Sequence, residues 1–364
     1  MSSSHSVSVQ DILELTGGRL ANAAEIGDRA SGIRVERLAP LAGSTAGDIA
    51  FFFAKEFQSE LPNAHPSVLL TGEPFTEPLR AAKVPLWTHS AVIACADPYL
   101  AMALVSGRMA ETLSSGAHTR RPAHRKIHPT AVVDASAEMG DQVEIGAHAV
   151  IEAGVRIGAG TVIYPGCYLG KGAHVGMDCV LFPRVTVYEA SVIGDRVRIH
   201  AGAVIGADGF GYAPRKEAGQ VVGHQKIYHV GRVVLGDDVE IGANACVDRG
   251  TFGDTRLGNQ VKIDNHVQIG HNCTLDEGAV VCGSSAMAGS SSLGKFVYVG
   301  GLTGITNKVH VGDRASVAAM SLLTKDVRGG SVVAGNPQRE YREHFKVHAA
   351  LNRLVSGGKK PQKD

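Results

Sequence analysis

This sequence has almost no charge imbalance, few aromatic residues and no long apolar run, and each shortage removes a class of function. Lys and Arg total 36 against 35 Asp and Glu, so no net field recruits nucleic acid or an anionic membrane surface. No apolar stretch approaches the roughly 20 residues that a transmembrane helix needs. The opening MSSSHSVSVQD lacks the basic and then apolar pattern of a secretory leader, so a cytoplasmic location is expected. The six cysteines, Cys95, Cys167, Cys179, Cys246, Cys273 and Cys282, show neither metal-ligand nor redox spacing. Free thiols in a reducing compartment follow.

Glycine, in contrast, is abundant at 45 residues, and much of it follows a six-residue beat. An aliphatic residue recurs at every sixth position from Ile127 to Ile205, resumes at Leu235, Ile241 and Val247, and runs again from Leu257 to Leu323. A helix would repeat its apolar face every three or four residues and an exposed sheet every two, so this period fits a parallel β-helix. Three hexads then form one triangular coil, and coils stack at the ~4.8 Å spacing of paired strands. The first position of each hexad points inward, and the fifth must be small. Ala131, Ala137, Ala149, Ala173, Val185, Val197 and Ser321 meet that demand, and Cys167, Cys179 and Cys273 share the position. Glycine after the aliphatic residue is expected to serve a corner with unusual backbone angles.

The fold class is therefore mainly β, a hexapeptide solenoid with an amino-terminal α/β domain and a carboxy-terminal helical segment. The α/β domain is expected over residues 1–105 and a linker with a basic stretch over 106–126. The solenoid spans 127–328, with loops at 207–234 and 248–256, where a rigid repeat protein builds its binding face. A helix opened by Asn336 and Pro337 is expected within 329–355, and the Gly/Lys/Pro tail at 356–364 is expected to be disordered.

One segment concentrates polar chemistry. Between Lys262 and Asn272 the chain packs Asp264, Asn265, His266, Gln268 and His271 into two hexads. Asp264 and His271 occupy early positions of consecutive hexads, so both are expected near one edge of the prism, where a carboxylate would orient an imidazole for proton abstraction. On the residues alone two readings stand: a general-base pair, or side chains that hydrogen-bond the corners.

The run Val247-Asp248-Arg249-Gly250-Thr251, then Ile263-Asp264-Asn265 and Gln268-Ile269-Gly270-His271-Asn272, resembles the signature of the UDP-3-O-(3-hydroxyacyl)glucosamine N-acyltransferases of lipid A biosynthesis. Leu38-Ala39-Pro40-Leu41, Gly47-Asp48-Ile49-Ala50-Phe51, Ala96-Asp97-Pro98-Tyr99 and the loop Gly206 to Tyr212 extend the resemblance over nearly the whole chain. It implies a left-handed coil, a homotrimer with sites between neighbouring prisms, and transfer of a 3-hydroxyacyl group from acyl carrier protein to the 2-amino group of a UDP-linked, O-acylated glucosamine. No cofactor would be bound, because 4'-phosphopantetheine arrives on the carrier. The resemblance makes His271 the base, Asp264 its orienting acid and the Gly289 N–H the oxyanion donor. Phe51 and Phe57 would stack on uracil, with Ala54 where the family often has Asn, and Asn265 and Gln268 would line the substrate site.

Where the family has a second histidine this chain has Lys308, with His310 two residues on, and either is open as the sugar-phosphate contact. Arg339, Arg342 and Lys346 recur at helical spacing and are expected to dock the acidic carrier protein. Met320 and Leu322 are candidates for the end of the acyl groove. Two rivals remain on the page. One is an acyl-CoA-dependent acetyltransferase of another amino sugar nucleotide. The other is a zinc enzyme of the gamma carbonic anhydrase type, suggested by the spacing of His266 and His271.

Overall fold

The computed structural model describes residues 6–113 and 126–355. The basic stretch of the linker and the tail at 356–364 lie outside the described residues. The chain divides into two compact units, one amino-terminal and one carrying the solenoid.

In the amino-terminal unit Arg19–Leu20, Ala91–Cys95, Val68–Gly72, Asp48–Phe52 and Arg37–Leu38 form one sheet in that order. Val68–Gly72 and Ala91–Cys95 pair in parallel and are buried along their whole length, which explains their unbroken apolar sequence. Ser8 and Asp11 close a reciprocal capping box on the helix Val9–Thr16, which stops at the left-handed Gly17. The helix Pro98–Leu113 starts on Asp97, whose Oδ1 accepts the N–H groups of Tyr99 and Leu100, and it continues into the segment expected to be linker. Phe51 packs half-buried on one face of the sheet and Phe52 is buried on the other. Phe57 is exposed on the 3₁₀ stretch Lys55–Asn63.

The solenoid is a left-handed β-helix of three parallel sheets. Each strand pairs with the one a full coil away: Glu138 with Arg156, and Arg156 with His174. The beat residues Ile145, Ile163, Leu181 and Ile199 stack in a sealed interior. Burial there pushes the Cys167 thiol up to about 11 and that of Cys179 to about 12, so these thiols are space-fillers and not nucleophiles.

The corners correct one expectation. Left-handed φ falls on the fourth position of the hexad, as at His148, Arg184, His266 and Lys308. The glycine after the aliphatic residue serves close stacking instead. A side-chain carbon on Gly158 would lie 2.5 Å from the carbonyl carbon of Gly176 in the next coil.

Both interruptions hold more structure than loops. Within 207–234 the segments Tyr212–Glu217 and Gln220–Lys226 form an antiparallel hairpin. Its two-residue turn, Ala218-Gly219, has positive φ at both positions, the geometry whose twist suits a tight hairpin. Arg232–Leu235 then pairs with Asp254–Leu257, so the bases of the two insertions share a sheet.

At the far end Val332–Ala334 extends the solenoid beyond residue 328, and Arg339–Glu340 adds antiparallel to it. That pairing holds the chain extended past Asn336 and Pro337, so the terminal helix is Tyr341–Val355 and starts later than expected. Arg339 therefore lies on a strand, and only Arg342 and Lys346 remain one helical turn apart.

Candidate active site

At several corners of the prism, the backbone amide two positions after the beat residue is tied by an acidic or amide side chain. Met177 N–H donates to Asp195 Oδ1 (2.7 Å), Asp195 N–H to Asp237 Oδ1 (2.9 Å) and Asp237 N–H to Asn259 Oδ1 (2.9 Å). The corner bearing His271 has no such tether. Among the described residues the N–H groups of His271 and Gly289 donate to nothing. Both residues line a pocket of roughly 760 Å³ together with Asp208, Phe210, Tyr212, Lys226, Asp248, Gln268 and Lys308.

The protonation pattern of His271 follows from its neighbours. Asn272 Oδ1 accepts the Thr251 N–H at 2.9 Å, which fixes that atom as the oxygen of the amide. His271 Nδ1 lies 3.0 Å from the same oxygen and 3.3 Å from Thr251 Oγ1, so Nδ1 carries the proton. Nε2 is left with its lone pair, and it faces Gly289: a side-chain carbon there would stand only 2.5 Å away. A basic nitrogen thus stands beside a residue whose backbone N–H is unbonded, the two kinds of group that acyl transfer to an amine requires.

Asp264 is not part of this pocket. Its carboxylate accepts the N–H groups of Asn265 (2.7 Å) and Gly283 (2.8 Å), and Asn265 Oδ1 accepts that of Ala243 (2.6 Å). Both line a separate groove with His200, Glu240 and Lys262. The expectation of a shared edge within one prism fails for a geometric reason. Three hexads complete one coil, so side chains at like positions of consecutive hexads stand at different corners. His266 is likewise on another corner from His271, and among the described residues no three His, Cys, Asp or Glu side chains gather as metal ligands.

The residue that orients His271 in this chain is Asn272, whose own N–H is held by Thr255 Oγ1 at 2.8 Å. Asn272→Ala should leave the Nδ1 proton without its acceptor and lower kcat by roughly tenfold, with KM little changed. Equal kcat values for variant and wild type would dismiss this role.

Asp248 is the carboxyl group that faces the pocket beside His271. Burial pushes its pKa up, opposed by a hydrogen bond from Gln268 and by the nearby imidazole. Asp208, at the mouth, is held below the usual carboxylate range by the Lys226 ammonium 2.6 Å away. Arg249, within the second insertion, is buried and donates to Gly206 O (2.7 Å) and to Glu189 Oε1 (2.6 Å). Its guanidinium therefore ties the chain to the Gly206 carbonyl and to the half-exposed Glu189, which anchors the pocket wall. Lys308 lines the pocket, whereas His310 faces away, bonded to Ser292 Oγ at 2.9 Å.

Models of the bacterial transferase hexapeptide match residues 148–183 and 172–207. With the stacked coils and the pocket above, they define a hexapeptide-repeat acyltransferase. A model described as UDP-3-O-(3-hydroxymyristoyl) glucosamine N-acyltransferase matches residues 33–107. A protein of Helicobacter hepaticus named UDP-3-O-acylglucosamine N-acyltransferase is 41% identical over 321 residues, 87% of this chain and 89% of its own length. This chain belongs to the UDP-3-O-acylglucosamine N-acyltransferase family. A relative of the same name from Wolinella succinogenes is 46% identical over 146 residues, 40% of this chain, and the match spans under half (45%) of that relative's length. A solved UDP-N-acetylglucosamine O-acyltransferase of Moraxella catarrhalis aligns at a TM-score of 0.43 and 24% identity, covering 65% of this chain and 86% of that one.

Proposed function

We propose that this chain moves a 3-hydroxyacyl group from the phosphopantetheine thioester of acyl carrier protein to the 2-amino group of UDP-3-O-(3-hydroxyacyl)glucosamine. The observation that carries this reading is the His271 Nε2 lone pair set against the unbonded Gly289 N–H. The amine nitrogen attacks the thioester carbon and Nε2 takes its proton. The oxyanion rests on the Gly289 amide. The C–S bond then breaks, and the proton passes to the departing thiolate. The carrier supplies phosphopantetheine, and no cofactor of the chain's own enters the reaction.

Lys308, on the pocket lining, would bind the diphosphate as a point charge. Phe57 is exposed and Phe51 half-buried, as a stacking pair for uracil in the amino-terminal unit would need to be. A homotrimer would bring the groove of Asp264 and Asn265 on one prism to the His271 pocket of the next, and so return those residues to the reaction. The outward positions Gln268, Ala286, Gly304 and Leu322 stack on one sheet. The small residues leave a track for the acyl chain that ends at Leu322, with Met320 exposed nearby. A soluble carrier and a nucleotide-linked acceptor place the reaction in the cytoplasm.

The test is an acylation assay with UDP-linked O-acylated glucosamine and carriers bearing chains of several lengths. Transfer to the 2-amino group from carrier but not from acyl-CoA is expected, and transfer of acetyl from acetyl-CoA to another amino sugar nucleotide would displace this reading. Carrier docking is assigned to Arg342 and Lys346 with Arg339 on the adjoining strand. Reversing Arg342 and Lys346 to Glu should raise the KM for carrier roughly fivefold or more at low ionic strength, and the penalty should shrink with salt. Unaltered kinetics at low salt would clear this surface of the role.

A further inference from the structure

The first insertion carries a histidine that the reaction above leaves unused. His229 is only 4% exposed, and its Nδ1 lies 3.1 Å from the carbonyl oxygen of Ile227. A carbonyl can only accept, so Nδ1 carries the proton and Nε2 keeps a lone pair. Among the described residues that lone pair has no hydrogen-bond partner. Buried acceptors are almost always paired, so an orphan beside a reactive pocket requires a reason.

Its ring stands edge-on to that of His271, with centroids 5.2 Å apart and planes at 66°. The strip Gly209-Phe210-Gly211 lies over both rings. A side-chain carbon on Gly209 would sit 2.9 Å from His229 Nε2 and 2.9 Å from His271 Cβ, and one on Gly211 would sit 2.9 Å from His229 Cε1. The strip can lie this close only because both residues are glycine, and Phe210 between them projects outward, 88% exposed, as a wall of the pocket.

We propose that His229 is a positioning residue for His271: as a neutral ring it seats the Gly209-Phe210-Gly211 wall against the base and leaves to His271 the proton released by the attacking amine. This inference rests on the acyl-transfer reading. Two imidazoles this close share one site electrostatically, and burial disfavours a second cation. Asp208 favours charge on His229 but is already committed to Lys226, while Lys226 and His271 oppose it. Burial and His271 thus lower the His229 pKa, so its neutral form and the seated wall hold above the ordinary histidine value of about 6.5. As pH falls below that value and through the lowered pKa, a buried imidazolium forms with no acceptor for its Nε2–H, and the wall is displaced. The acid side of the rate profile then records two protons, one on His271 and one on His229.

The test compares full-length wild type, His229→Gln and His229→Ala. A Gln amide can donate to Ile227 O and does not titrate. Log kcat/KM of wild type against pH should steepen from a slope of about one toward two at low pH, while the Gln variant keeps a slope of about one and kcat within about threefold. The Ala variant should lose roughly tenfold or more in kcat with little change in KM for the sugar nucleotide. An Ala variant with wild-type kcat, or identical slopes in wild type and Gln variant, overturns the inference while the acyl-transfer reading stands. If the Ala variant fails to fold, the slope of the Gln variant decides. If wild type transfers nothing, the parent reading falls, and nitrogen chemical shifts of the two imidazoles across pH decide the rest. Proton uptake by His271 before His229 supports the assignment, and the reverse order overturns it.

Discussion

His271→Ala is expected to lower kcat by about 10²- to 10⁴-fold, the usual range for loss of a general base, while the melting temperature shifts by only a few degrees. The second half of that expectation comes from where the side chain sits. Among the described residues its Nδ1 contacts only Asn272 and Thr251, and its ring lines an open pocket rather than the sealed interior. No cavity forms in the core and no buried charge loses a partner, so none of the mechanisms behind large destabilisation applies. Steady-state turnover set beside a thermal melt separates the two effects. Near-normal kcat would remove His271 from the chemistry, and a collapsed melt would show that it holds the corner.

Gly289→Ala should be almost as damaging. The added methyl would stand 2.5 Å from His271 Nε2, inside any tolerable contact, so the imidazole must swing or the corner must open. Either movement separates the base from the amide that faces it. Loss of one oxyanion donor costs about 10²- to 10³-fold in kcat, and displacement of the base adds to it. Gly289 has no left-handed φ, so alanine meets no backbone strain there, and the solenoid should remain intact. A Gly289→Ala enzyme within tenfold of wild type would mean that the donor lies elsewhere.

The solenoid was legible because one rule governs almost every coil: an aliphatic residue inward, a small residue four positions later. What lay outside that rule was harder to read. The hairpin turn is Ala218-Gly219, and alanine at a positive φ does not advertise a turn as asparagine would. The late start of the terminal helix is decided by the pairing of Arg339–Glu340 with Val333 and Ala334, a contact that local capping preferences do not contain. Within the site, Gly289 was readable by resemblance, but the partner of His271 was not. Asp264 is seven residues away along the chain and one corner away in space. Asp248 is one coil below Gly270, across an insertion that disguises the spacing. Asn272 adjoins His271 in sequence, yet its part depends on which end of its amide points inward, and the Thr251 N–H decides that. His229 is brought to the site only by the fold of the first insertion.

The side chains that tie the corner amides give the stack a direction of unravelling. Asp195 holds the coil before it, Asp237 holds that of Asp195, and Asn259 holds that of Asp237. Each of these three tethers belongs to the later coil, so a coil of this run that peels away on its carboxy-terminal side takes with it the caps of the coil beneath. Peeling from the amino-terminal end releases none of these three caps in the coils that stay, whereas the Asp264 cap on Gly283 runs in the opposite sense. Fraying along this run is therefore polar, and the amide protons of Asp237, Asp195 and Met177 should lose protection in that order, a wave that travels toward the amino terminus. Gly289, whose amide no later coil ties down, is open to solvent before that wave begins.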